Sequence, residues 1–191
     1  MTKKNLIVEE LVKKQAYSNL KVPNYNKIKF EINKLLNSEQ KNAVEKINVS
    51  IKNKKPDCFL LDGVPGSGKT ETYFQTVKTC LDEGKQILIL LPEISLTPDW
   101  EKRFYQSFSF APLVWHSGIT KTKKKQIWLS ALNSSAGVIV GARSALMLPI
   151  LNLGLIIVDE EHDPAFKQEE GVRYNARDMA IYKAIRSSVP I

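Results

Sequence analysis

The sequence predicts an α/β fold in which a mainly parallel sheet is flanked by helices. Two observations carry this. Short apolar runs recur at 58–61, 87–91, 112–115, 138–140 and 155–158. They are continuous rather than alternating, the pattern of strands buried on both faces. Amphipathic stretches of helical length lie between and after them, at 69–83, 95–108, 122–132 and 176–187. Strands that alternate with helices imply parallel pairing.

The elements follow in order. Residues 3–16 place Leu6, Ile7, Glu10, Leu11 and Lys14 at helical spacing, a short amphipathic helix. Residues 17–30, with Pro23 and Asn24, read as a turn with short strands. Asn37 and Ser38 precede a helical pattern of Ala43, Val44, Ile47 and Ile51, and Gln40 stands where a capping-box partner of Asn37 belongs. The repeating strand and helix pattern begins at Asp57. These features divide the chain into a basic segment, 1–35, and an α/β domain, 36–191.

Composition narrows the class. Of 191 residues, 43% are hydrophobic and 25% charged, enough apolar material for a core and too much for a disordered chain. No apolar run approaches the roughly 20 residues of a membrane-spanning helix, and the apolar centre of the first residues is too short for a secretory signal. Cys58 and Cys80 are the only cysteines, which excludes a disulfide framework and a four-cysteine zinc site. Both are expected as small core residues. A soluble, cytoplasmic protein is therefore expected. The net charge of +8 resides entirely in residues 1–56, which hold 13 Lys and 5 Asp or Glu. Such a segment favours polyanions, since neutralised phosphates release counterions. A second cluster, Lys121 to Lys125, opens a helix and reads as a solvated face.

The turn after the first of these strands carries chemistry. Gly63-Val64-Pro65-Gly66-Ser67-Gly68-Lys69-Thr70 satisfies G-x-x-x-x-G-K-[ST] between a predicted strand and a predicted helix. Glycines let the backbone N–H groups curl around phosphate oxygens, and the helix amino terminus favours negative charge. Lys69 is positioned to reach β- and γ-phosphates, and Thr70 to ligate magnesium. The last strand runs into Asp159-Glu160-Glu161-His162. Parallel strands present their carboxyl ends to one crevice, so Asp159 is expected near Thr70 as a second magnesium ligand. Glu160 is the candidate base for the attacking water.

Together with LNSEQ at 36–40, LPEISLTP at 91–98, HSG at 116–118, GARSAL at 141–146 and FKQEEGVRYNARDMA at 166–180, these motifs resemble DExH helicases of superfamily 2. Within that group they are most similar to the PriA (primosomal protein N′) family of replication-restart helicases. The resemblance spans nearly all of residues 36–191. It implies a RecA-like lobe, the first of two in a motor that couples ATP hydrolysis to 3′-to-5′ movement on single-stranded or forked DNA, with primosome proteins as partners of the full-length family. It implies that Gln40 recognises adenine, that His162 belongs to the nucleotide site, that Arg143 and Ser144 contact DNA phosphates, and that Phe166 and Tyr174 belong to an aromatic loop coupling DNA to ATP. It implies ATP and Mg²⁺ as ligands, and zinc only in the full-length family.

The chain departs from the family at Val172, where tryptophan is typical, and at Pro65 and Ala142. The Ser-Ala-Thr element, the second lobe with its arginine finger and the cysteine-rich module are not encoded. Residues 1–35 resemble only the end of a winged-helix region. A fragment or truncated product, monomeric, with weak ATP binding, very slow hydrolysis and an unpaired apolar sheet edge, is therefore expected. Two other readings fit parts of the sequence. A small-molecule phosphate-loop kinase would need an acceptor pocket and an arginine-bearing lid, neither recognisable here. A non-catalytic nucleic-acid-binding fragment would use residues 1–56 alone.

Overall fold

The structure, a computed structural model, describes residues 29–31, 35–92 and 97–191. The helix expected at 3–16, most of the turn at 17–30 and most of the basic segment lie outside the described residues. Within them, four parallel strands form the sheet: β1 (Gln86–Leu90), β2 (Leu113–Trp115), β3 (Val138–Gly141) and β4 (Leu153–Val158), in the order β2-β3-β1-β4. A small antiparallel hairpin, β5 (Lys167–Gln168) with β6 (Tyr174–Asn175), lies apart from it.

Side chains alternate across a strand, and this divides the core in two. Ile87, Ile89 and Leu91 face one layer with Ile51, Phe74, Val77 and Phe104. Leu88 and Leu90 face another with Ile127, Ile156, Phe166 and Ala180. The first layer is covered by α1 (Ser38–Asn53), α2 (Lys69–Asp82) and α3 (Pro98–Phe108), the second by α4 (Lys121–Leu132) and α5 (Ala176–Ser187). On α3, Trp100, Phe104 and Phe108 recur every four residues and stack along one helix face, with centroids 5.5 and 4.5 Å apart. Phe74 of α2 meets all three edge-on, the geometry that ring quadrupoles favour.

Four helices begin with a side-chain oxygen accepting a backbone N–H: Asn37, Thr97, Thr120 and Asn175. Asn37 and Gln40 form the reciprocal capping box read from the sequence. These caps satisfy donors that a helix cannot satisfy internally.

Two expectations are corrected. Residues 58–61 are extended but are not a strand of the four-stranded sheet. They pair instead with the residues after α5: Phe59 N–H donates to Ile191 O at 2.8 Å, and Ile191 N–H to Asp57 O at 3.0 Å. Ile156 N–H in turn donates to Pro190 O at 3.1 Å. Residues 190–191 thus sit between β4 and the segment leading to the glycine turn, so this side of the sheet is bridged only in part. Cys58, expected in the core, is exposed because it lies on this open side, whereas Cys80 is buried between α2 and the sheet.

Candidate nucleotide site

Helix α2 starts differently from the rest. Its N-cap is Gly68, with φ 87° and no side-chain cap, so the first N–H groups of α2 face the 63–70 turn without a capping oxygen. A backbone in this left-handed region is open to glycine and strained for other residues. The position is also crowded: a Cβ on Gly68 would come within 2.5 Å of Gln40 Nε2. Gln40 Nε2 donates to Ser67 O at 2.8 Å, and Gln40 Oε1 accepts from Asn37 N–H at 2.8 Å. One amide thereby caps α1 and ties it to the turn. Lys69 Nζ donates to Gly63 O at 2.6 Å and to Val64 O at 3.4 Å, so the ammonium lies folded over the turn.

The opposite wall is the carboxyl end of β4. Asp159 N–H donates to Leu90 O at 3.0 Å, which continues the ladder one residue and fixes the carboxylate at the strand tip. Asp159 Oδ1 accepts from Glu160 N–H at 3.1 Å. Asp159 Oδ2 accepts from the Tyr73 hydroxyl at 2.9 Å, and that hydroxyl accepts from Trp100 Nε1 at 3.1 Å. The Thr70 side chain interacts with the same hydroxyl. Burial holds the Tyr73 phenol well above its ordinary value, and the neighbouring Asp159 charge acts in the same direction. Tyr73 therefore remains a neutral donor at any physiological pH.

Glu160 adopts φ 52°, an uncommon conformation for a residue with a Cβ, of the kind concentrated at functional turns. The turn is closed by Asp163 N–H donating to Glu160 O at 2.8 Å. It leaves the Glu160 side chain half exposed, 3.7 Å from His162 Nε2. Glu161 pairs with Arg177 of α5 at 2.9 Å. Gly63, Lys69, Tyr73, Asp159, Glu160 and Arg177 all line one cleft of about 620 Å³. Gly66, with φ 78°, and Ser67 complete the exposed rim of the turn.

Among the described residues no group of three His, Cys, Asp or Glu is arranged to hold a metal. Magnesium, however, takes one or two protein oxygens and fills its octahedron with water and phosphate oxygens. The Thr70 hydroxyl and the Asp159 carboxylate, both beside the Tyr73 oxygen, are a donor set of that kind.

The remaining candidates lie along the carboxyl edge of the sheet. Ser144 Oγ accepts from Trp115 Nε1 at 3.1 Å, and Arg143 Nη1 donates to Lys167 O in the hairpin. Pro92 follows β1, and residues 93–96 lie outside the described residues. Phe166 departs from expectation: only 1% of it is exposed, and it packs with Ile156 and Ala180 in the second core layer. It offers no ring face to a base, because the hairpin folds it down onto α5 and β4. Tyr174 is half-buried against the same layer, while Val172 at the hairpin tip is 82% exposed. Tyr73, Trp100 and Arg177 were not singled out by sequence. The available signal for Tyr73 was its place on α2, three residues beyond Thr70 on the buried side.

Comparison with known proteins agrees with this architecture. Residues 33–187 match the family model described as Type III restriction enzyme, res subunit. The chain is 49% identical over 148 residues to the replication restart protein PriA of Rickettsia felis, covering 78% of this chain and 22% of that protein. It is 43% identical over 156 residues to PriA of Bacillus subtilis, covering 82% and 19%. With PriA of Helicobacter pylori it shares 40% identity over 148 residues, covering 78% and 23%. The chain thus spans about a fifth of the length of the curated relatives it matches.

Proposed function

Because the chain belongs to the family of the Type III restriction enzyme res subunit, we propose that it is the ATP-binding lobe of a replication-restart DNA helicase of the PriA kind. The observation that supports this reading is the convergence of Lys69, Tyr73 and Asp159 in one cleft, with the Thr70 side chain against the Tyr73 hydroxyl. In this reading residues 36–191 form the motor lobe and 1–35 are a basic segment belonging to a winged-helix region. The full motor acts in the cytoplasm, moves 3′ to 5′ on single-stranded or forked DNA, and meets primosome proteins.

The chemistry is attack of water on a γ-phosphate in line with the leaving oxygen. The uncapped start of α2 and the N–H groups around Gly66, Ser67 and Gly68 bind phosphate oxygens. Lys69 exchanges the Gly63 and Val64 carbonyls for β- and γ-oxygens, trading neutral acceptors for charged ones. Magnesium, when held by Thr70 and Asp159, screens charge between the phosphates. Tyr73 keeps the Asp159 carboxylate turned toward the cleft. Glu160, free of a strong ion pair, accepts the proton of the water, and His162 sits where it can sense that carboxylate. Gln40, already fixed to Ser67 O, links the adenine side of the site to the turn. Arg143 and Ser144 contact DNA phosphates, and Tyr174 with the hairpin transmits that contact to the Glu161–Arg177 pair.

The test is binding of a fluorescent ATP analogue with and without Mg²⁺. Lys69→Ala is expected to weaken binding at least tenfold, and Asp159→Asn to remove most of the Mg²⁺ dependence. Hydrolysis by residues 1–191 on their own is expected to be very slow, since in this reading a second lobe provides the arginine that offsets the developing charge. Magnesium-independent binding unaffected by either variant would overturn the assignment.

A further inference from the structure

Between Arg103 and Asp159 the sequence contains no Asp or Glu, while Lys121, Lys123, Lys124, Lys125 and Arg143 all fall in that interval. The α/β part as a whole is neutral, with 15 basic and 15 acidic residues at 57–191, so its charge is separated in space. Asp159, Glu160, Glu161 and Asp163 cluster just beyond β4, while the stretch that forms β2, α4 and β3 carries no acid. Strands are about 4.8 Å apart. β2 stands three places from β4, which puts roughly 14 Å between the Asp159 tip and the β2 tip, beyond a Debye length of about 8 Å in physiological salt. At that separation the acidic cluster beyond β4 acts only weakly on Lys121 and Lys123.

These lysines occupy the first turn and a half of α4, whose first turn carries no acidic residue. Positive charge there opposes the helix dipole. Among the described residues no ion pair joins Lys121 or Lys123 to a carboxylate, and Lys124 Nζ donates to Ser117 O at 3.0 Å. That bond draws the turn against the loop that follows β2. Trp115, the last residue of β2, pairs in register with Gly141 of β3, and Trp115 Nε1 donates to Ser144 Oγ. The lysine turn and the Arg143–Ser144 turn are thus neighbours along one carboxyl edge. Trp128, 43% exposed, shares the helix face of Lys121 and Lys124, and an exposed aromatic beside cations is a stacking platform for bases of any sequence.

We propose that the lysine turn of α4, with Trp128, is an accessory surface for the phosphodiester backbone of single-stranded nucleic acid crossing the carboxyl edge of β3 and β2. It extends the track begun by Arg143 and Ser144, and so rests on the helicase reading. An acidic protein is the other polyanion such a face could take. The aromatic favours nucleic acid, since only nucleic acid presents planar bases at the spacing of its charges.

The test is fluorescence anisotropy of the full chain with a labelled oligothymidylate over a salt series. K121Q/K123Q retains Lys124, which holds the Ser117 carbonyl, and glutamine matches lysine in helix propensity, so the thermal melt should be unchanged. At about 0.7 per phosphate contact, the slope of log K against log salt should fall by about 1–2, with roughly tenfold weaker binding at low salt. Trp128→Ala should weaken binding without changing the slope. An unaltered slope and affinity in K121Q/K123Q, with Arg143→Ala still impaired, would overturn the lysine surface and leave the helicase reading standing. No binding by the unmodified chain at low salt would overturn the surface as well, while nucleotide binding would judge the motor reading separately. Polyglutamate competing as strongly as an equally charged oligonucleotide would also count against it.

Discussion

The Tyr73 hydroxyl donates to Asp159 Oδ2 at 2.9 Å while accepting from Trp100 Nε1 at 3.1 Å, so a residue of α2 orients the carboxylate at the tip of β4. Tyr73→Phe keeps the ring and removes the link. It leaves the buried Trp100 N–H without a partner, which costs about 1–2 kcal/mol and is measurable by urea unfolding. It also frees the Asp159 carboxylate to rotate, so the Mg²⁺ concentration needed for half-maximal nucleotide binding should rise several-fold. Unchanged magnesium dependence would reduce Tyr73 to a packing residue.

The same phenol predicts a response to alkali. Its folded pKa is raised by burial first and by the Asp159 charge second. A group raised in this way contributes stability that is fully present below the unfolded value near 10. That stability is lost as pH climbs from there toward the folded value. Thermal melts of the unmodified chain should therefore fall more steeply above pH 10 than those of Tyr73→Phe. Parallel curves for the two proteins would contradict this.

Gly68 meets two constraints at once: φ 87° and a Cβ position 2.5 Å from Gln40 Nε2. Gly68→Ala should destabilise by about 1–3 kcal/mol, within the range for a strained left-handed residue, and weaken nucleotide binding. Adding Gln40→Ala relieves the collision but not the backbone strain. A double-mutant cycle by urea unfolding should thus show partial recovery, and full recovery would mean that the backbone at Gly68 is not strained.

The fold was largely legible because its signals are local. Continuous apolar runs gave β1, β3 and β4. The helical pattern at 95–108 foretold α3, which begins three residues later at Pro98, and the capping box at Asn37 and Gln40 is a four-residue pattern. The phosphate turn was legible because glycine spacing dictates backbone shape directly. What escaped is tertiary. Tyr73 and Trp100 sit in helical apolar patterns that read as core, and only the packing of α2 on α3 turns their polar atoms toward Asp159. Phe166 looked available because the resemblance places it in an aromatic loop, and nothing local shows that the short turn Pro164–Phe166 folds its ring into the core. Cys58 looked buried because its run, 58–61, has the composition of an interior strand, whereas pairing with Ile191 leaves it at an open side.

Ile191 N–H donates to Asp57 O at 3.0 Å on the segment that enters the phosphate turn. Ile191→Pro removes that donor without shortening the chain, and Ile191→Val keeps it. Asp57 is exposed, so water can meet its carbonyl, and the proline variant should lose only about 0.5–1.5 kcal/mol, the net worth of one hydrogen bond, and weaken nucleotide binding. The valine variant should do neither. Equal behaviour of the two would show that this pairing does not support the turn.

That pairing joins positions more than a hundred residues apart in sequence, and contacts of such separation form late, after shorter loops have closed. The Gly63–Thr70 turn would then be the final piece to settle during folding and the earliest to loosen under native conditions. Amide exchange there should be rapid in the free protein and slow once nucleotide is bound, making the ligand itself a part of how this region completes its structure.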